Sequence, residues 1–381
     1  MEIYVLQPRD TIDIIASTYG VDTDVLIYDN QLIYPYELAI GQALLIRNGQ
    51  RERMMEIVSN GYAYPFINRW VLDNTLPFLS ELSVFSYGFT VDGELISPLV
   101  DDVWMIDEAL ENDTLPILTL TPFGADGNFN NNLISAIVQN PAARDNLINN
   151  LLIVMAEKNY AGLDIDFEFI KAEDRDLFTE FVRVCTERMH AMGYQVSVAL
   201  APKTSAEQRG LLYEGKNYRA LGAIADHVLV MTYEWGYTYG PPMAVAPLNM
   251  VRRVVEYAVT EISPEKISLG IPNYGYDWSL PYERGVTKAN TIGNVEAVRI
   301  AVNQGVQIRF DEIAQSPYFN YEADGIMHEV WFENVRSLQQ KFDLIKEFGL
   351  RGAGYWQIMQ LFRANWLLLQ DNFIIKKDVS I

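Results

Sequence analysis

Between Tyr160 and Ile170 the chain reads YAGLDIDFEFI, which sets Asp164, Asp166 and Glu168 at every second position with Leu163, Ile165, Phe167 and Phe169 between them. In an extended strand, side chains at i, i+2 and i+4 share one face, so the three carboxyls would form a ladder rising about 7 Å per step. The apolar residues would point the other way, towards covering helices. Acids crowded into a largely buried space repel one another and lose hydration, and both effects keep a proton on at least one of them. A glutamate that stays protonated near neutral pH is a general acid. An edge strand with one wetted acidic face would show the same alternation. Two features argue against that: the segment carries no compensating Lys or Arg, and it lies midway in an eightfold alternation of elements, where both strand faces are covered.

The alternation is read from eight apolar runs rich in Val, Ile, Leu and Tyr, at 55–63, 81–89, 115–121, 162–169, 195–201, 227–233, 267–272 and 352–356. Amphipathic stretches such as Arg144 to Lys158 and Asp174 to Met192 separate them. Strand and helix alternating eight times over about 330 residues predicts a (β/α)8 barrel, an α/β fold whose site lies where the strands end. Glu168, the last of the three acids, would then reach the C-terminal rim. Residues from about 277 to 333 carry strand and helix signals of their own and read as an α+β insertion after the seventh strand.

Ahead of the barrel, residues 1–48 show the order βααβ. A strand from Ile3 to Gln7 precedes a helix from Thr11 to Tyr19, with Asp10 placed to cap its start and Gly20 to end it. A second helix from Asp22 to Asn30 and a strand from Gln42 to Arg47 complete the unit. Residues 49–54 read as a linker and 55–381 as the barrel domain.

Composition bounds the function. The 381 residues are 49% apolar, enough for one large domain and a small one. Fifty acidic residues against 29 basic ones leave a net charge of −21, which repels nucleic acid and anionic lipid surfaces. Cys185 is the single cysteine, and His190, His227 and His328 lack the spacing of a metal site, so neither a disulfide nor a metal or other cofactor is expected. The first residues, MEIYVLQPRDTIDIIASTYG, bring acids from the second position, and no secretory leader is expected. No run reaches the roughly 18 apolar residues of a membrane span, so no membrane insertion is expected either.

The wording of several segments goes further. GLDIDFE resembles the DGxDxDxE signature of glycoside hydrolase family 18, which includes chitinases and N-acetylglucosaminidases; Ala161 departs from it, since the signature commonly begins with Asp there. The resemblance implies that Glu168 protonates the glycosidic oxygen, Asp166 orients the substrate's acetamido group and Asp164 tunes the proton balance. It also implies that the acetamido oxygen itself attacks the anomeric carbon, with net retention. HVLVMTYEWGY resembles the sixth strand of that family, which makes Met231 and Tyr233 subsite residues, Tyr233 donating to the acetamido oxygen; Glu234 stands where many chitinases have Asp. GAGYWQIMQ resembles the eighth strand, with Trp356 as the floor on which a sugar ring stacks. GIPNYGYDW and NGYAYPF offer Asn273, Tyr274, Tyr276, Trp278, Tyr62 and Tyr64 as further sugar contacts.

IYVLQPRDTIDIIASTYGV, LIYDNQL and LAIGQALLI resemble a LysM module, which binds N-acetylglucosamine-containing glycans; Arg9 stands where that family most often has Gly. Together with MTYEWGYTYGPPMAVAP and VWFENVRSLQQKFDLIKEFGLRGAGYW, almost the whole chain is similar to spore cortex-lytic N-acetylglucosaminidases and to spore germination or coat proteins. The resemblance implies peptidoglycan as substrate and deposition on the spore coat or cortex. A chitinase or chitooligosaccharide hydrolase, and a glycan-binding coat protein without catalysis, are the alternatives.

Overall fold

Eight largely buried strands pair with one another in parallel: Glu56–Ala63, Glu81–Phe89, Leu115–Leu120, Gly162–Ile165, Gln195–Leu200, His227–Val230, Ile267–Pro272 and Gly352–Trp356; the end of Glu81–Phe89 also pairs antiparallel with the short strand Leu95–Ile96. Each pairs with the next, and the first pairs with both the second and the eighth, which closes the barrel. The computed structural model describes residues 1–49 and 55–377, so the expected linker lies outside the described residues except for Gly49.

Helices cover the outside of the barrel. Leu163 and Ile165 of the fourth strand join a core with Phe178, Phe181 and Val182 of the helix Arg175–His190. Phe167 continues that layer, its ring 5.6 Å from Phe181. The helix Val335–Phe348 starts with Asn334 and Ser337 capping each other's backbone N–H groups and ends at Gly349 in a left-handed conformation.

Two barrel strands are shorter than their apolar runs. The fourth stops at Ile165 instead of Phe169, because the third ends at Leu120 and Pro122 beyond it has no N–H with which to extend the ladder. The sixth stops at Val230 instead of Tyr233; there the Thr232 hydroxyl donates to the Gly270 carbonyl at 2.7 Å and the chain turns away.

Between the seventh strand and the helix Val335–Phe348 lies a five-stranded antiparallel sheet, in the order Asn290–Ile292, Gly275–Ser279, Ile326–Trp331, Ser316–Ala323, Arg309–Asp311. The helix Asn294–Asn303 packs Ala297 and Ala301 against Phe319, Val330 and Phe332 of this region.

At the N-terminus, Glu2–Val5 pairs antiparallel with Ala43–Ile46, and the helices Ile12–Tyr19 and Thr23–Asp29 lie between them in the chain. Thr11, not Asp10, caps the first helix; the Asp10 carboxylate instead accepts from Gln7 N and the Tyr4 hydroxyl, both at 2.7 Å. Arg9 takes the left-handed conformation (φ 77°) that a glycine would fill without strain. The unit is stitched to the rest of the chain. Ile308 N donates to Ile40 O at 2.9 Å, the Gln31 side chain donates to Leu361 O and accepts from Arg363 N, and Leu45 belongs to the barrel's own core. No helix among the described residues is long and apolar enough to cross a membrane.

Candidate active site

Exposure rises along the acid ladder from the barrel interior to its rim. Asp164, 1% exposed, accepts from the Tyr62 hydroxyl of the first strand at 2.8 Å and from Ser197 Oγ of the fifth at 2.6 Å. Burial raises its pKa to about 6, and those two hydrogen bonds partly offset the rise. Asp166, 8% exposed, is pushed well above the usual carboxylate range by burial and then by Glu168 and Asp164. Its buried Oδ1 makes no hydrogen bond to any described residue, which leaves its hydrogen-bonding capacity unused within the protein. Glu168 is half-buried, and loss of hydration raises its pKa as well. Asp166 and Glu168 open onto a cavity of about 290 Å³ whose other walls are Pro122, Phe129, Asn131 and Phe169.

Only Asp164 of the three lies within the strand. Asp166 donates one further backbone hydrogen bond to Leu120 O at 3.0 Å, and beyond it the chain is irregular. The inward sense of the acids survives this, but the apolar face does not survive it throughout: Phe169 is 37% exposed and lines the cavity instead of meeting a helix.

Met231 and Tyr233 follow the sixth strand. Burial, then Asp166 and Glu168, drive the Tyr233 phenol well above its ordinary range, so it stays a neutral hydrogen-bond donor. Met231 is half-buried against Tyr62, Phe85 and Leu229. Glu234 adopts φ 68°, a strained conformation for a residue with a side chain. It is exposed as a whole, yet its Oε1 accepts from the hydroxyls of Tyr274 and Tyr276, the latter at 2.9 Å, and burial of the carboxyl raises its pKa against those bonds. Trp356, half-buried at the end of the eighth strand, packs its ring 4.7 Å from Phe85 and 6.1 Å from Tyr64.

Other expected sugar contacts have their polar groups committed inside the protein. Tyr62 is buried and spends its hydroxyl on Asp164. Asn273 donates its amide to the carbonyls of Gln357 and Gln360, both at 3.0 Å, and so fixes the turn after Trp356. Tyr274 and Tyr276 are buried under Glu234, and Trp278 is fully buried with its Nε1 on Gly240 O at 2.8 Å. These residues support the site from behind. Tyr64, which stays half-buried beside Trp356, remains open to a ligand.

The acids also have a counter-charge that their own segment lacks. Lys216, from the loop after the fifth strand, is fully buried, and its Nζ donates to Ala199 O at 3.2 Å. A lone Lys in EGKNY carries no pattern that links it to a strand some fifty residues earlier. Among the described residues, no group of three or more His, Cys, Asp or Glu could hold a metal ion. A second cleft, of about 300 Å³, lies between Asn30–Pro35 and the helix Asn294–Asn303; none of the acids lines it, so the chemistry is assigned by the carboxyls and not by volume.

Residues 118–360 match glycosyl hydrolases family 18, and the chain belongs to that family. It is 34% identical to the cortical fragment-lytic enzyme of Bacillus subtilis, over 99% of both chains. The crystal structure of the spore cortex-lytic enzyme SleL of Bacillus megaterium superposes with a TM-score of 0.93 at 33% identity, covering 99% of each chain. A chitinase of Chromobacterium violaceum is 26% identical with a TM-score of 0.77, over 83% of this chain and 98% of its own.

Proposed function

We propose that this glycoside hydrolase is a retaining, substrate-assisted N-acetylglucosaminidase that cleaves peptidoglycan of the bacterial spore cortex or its fragments. One observation carries the reading: two carboxyls held above their ordinary pKa share one cavity, the inner one with an unpartnered oxygen and the outer one at the mouth. Glu168 donates its proton to the glycosidic oxygen as the C1–O bond breaks and its electron pair passes to the leaving hydroxyl. The substrate's acetamido oxygen bonds to C1, giving an oxazolinium ion. Asp166 accepts the acetamido N–H and Tyr233 donates to the acetamido oxygen, with Trp356 beneath the sugar ring. Water then attacks C1, the C1–O bond to the acetamido group breaks, and Glu168 recovers its proton from that water, with net retention.

The names of the two enzymes similar over 99% of the chain support cortex as the substrate, and the sequence resemblance supports the spore coat or cortex as the place of action. The sequence resemblance supports residues 1–48 as a LysM module that holds the enzyme on glycan, with 55–381 as the catalytic domain and about 277–333 as an insertion within it. Likeness to the Chromobacterium chitinase favours chitooligosaccharides as the second reading.

Incubation with cortex fragments and with chitooligosaccharides, followed by identification of the new reducing ends, separates the readings. N-acetylglucosamine at the reducing ends of cleaved cortex fragments is the expected result. Cleavage of chitooligosaccharides alone would establish the second reading, and cleavage of neither would leave a binding protein.

A further inference from the structure

We propose that Lys216 is a positioning residue of the carboxylate site: its buried ammonium, tied to the Ala199 carbonyl beside Asp166, sets the protonation of Asp164, Asp166 and Glu168 and thereby the pH range of catalysis. The placement follows from strand register. Asp164 pairs with Ser197 and Ile165 with Val198, so the next step along the two strands sets Asp166 level with Ala199. An ammonium hydrogen-bonded to Ala199 O therefore stands at the height of Asp166, on the neighbouring strand. The loop that carries it is pinned to the acid segment, because a Cβ on Gly215 would lie 2.3 Å from Ile170 O. Lys216 N donates to Tyr213 O, and Lys203 Nζ holds the Lys216 carbonyl at 3.2 Å.

The contrast with Lys341 shows what this ammonium is for. Both lysines are fully buried, but Lys341 has a carboxylate of its own, Glu333, at 2.9 Å. Among the described residues no carboxylate comes within ion-pair distance of Lys216. A buried ammonium without compensation is strongly disfavoured, and here the compensation is shared among three acids at longer range. Burial lowers its pKa to about 8, opposed by Asp166, Glu168 and Asp164 in that order, and Lys216 in turn lowers the pKa of each of them. The other titratable groups around the ensemble include Lys203, Tyr213 and Glu214 of the same loop, Tyr218 of the next helix, Tyr62, Tyr64, Tyr233 and Glu234 beside the acids, and Glu81 at the barrel floor.

The proposal rests on the glycosidase reading, and one arm of its test does not need turnover. The first arm is the pH profile of kcat/KM on the cortex fragments or chitooligosaccharides that the native enzyme cleaves. Lys216→Met removes the cation, favours the protonated acids and moves both limbs to higher pH by about one unit, whereas Lys216→Arg keeps the native profile. A Lys216→Met enzyme that loses activity equally at every pH, with its limbs unmoved, would show a merely structural lysine and overturn the proposal. The second arm also serves if that variant does not fold. Lysine-selective NMR of the native protein and of Asp166→Asn follows the Lys216 midpoint directly, and loss of the facing carboxylate lowers it by about one unit. Equal midpoints in the two proteins would overturn the proposal whatever the substrate proves to be.

Discussion

Burial is the main reason the carboxyls of Asp164, Asp166 and Glu168 all hold their protons more tightly than ordinary carboxylic acids do. That has a cost in stability which one substitution exposes. The folded pKa of Asp164, about 6, lies above its ordinary value of 3.8. The folded state therefore binds more protons than the unfolded state between those values, and the contribution of Asp164 to stability is complete below pH 3.8 and lost as pH rises through 6. Asp164→Asn, which needs no charge, is expected to unfold at a higher temperature than the native protein at pH 7 and to lose that advantage at pH 4, with lower activity throughout. Thermal unfolding at the two pH values checks this; an Asn variant less stable at pH 7 would show that the hydrogen bonds from Tyr62 and Ser197 outweigh the burial of charge. At this scale the acids were legible because alternation encodes facing even where the strand's hydrogen bonds have ended. Lys216 and the true partner of Tyr62 were not, since each depends on contacts with residues far away in the chain.

Among the elements, the barrel strands stood out as long Val, Ile and Leu runs because both of their faces are buried, and their ends were harder to place because hydrogen bonding, not hydrophobicity, decides them. Leu163 to Phe169 is apolar at every second residue, yet pairing stops at Ile165. The rim is then fixed by side chains. Asn273, expected as a sugar contact, ties the seventh strand to the turn after Trp356 through two donated hydrogen bonds. Asn273→Ala would leave both carbonyls unpaired, at a cost of about 1–3 kcal/mol, and free the turn that orients the indole. The expected result is a lower unfolding temperature and a raised KM, with kcat reduced less. An unchanged KM would separate this clamp from the sugar floor.

For the whole molecule, the order βααβ was readable within residues 1–48, but its attachment was not, because the contacts are made by exposed-looking residues such as Gln31 and by single backbone atoms. Gly41 has φ 81°, and a Cβ there would fall 1.9 Å from Ile308 O, the residue whose N–H is bonded to Ile40. Gly41→Ala is therefore expected to lower the unfolding temperature and to speed proteolytic release of the N-terminal unit, while leaving hydrolysis of short soluble substrates in place. Native resistance to protease in that variant would contradict the docking. Deleting residues 1–48 removes Leu45 from the barrel's core, so loss of stability is expected alongside weaker attachment to insoluble wall.

In the proposed mechanism the half-buried Glu168 at the cavity gives and recovers the catalytic proton. Glu168→Gln keeps the size and polarity of that side chain and removes the proton's donor, so the direct measurement is kcat for this variant beside its affinity for the uncleaved glycan. A fall in kcat of at least about a hundredfold, with binding retained, is the expected result. Undiminished turnover by Glu168→Gln would contradict it.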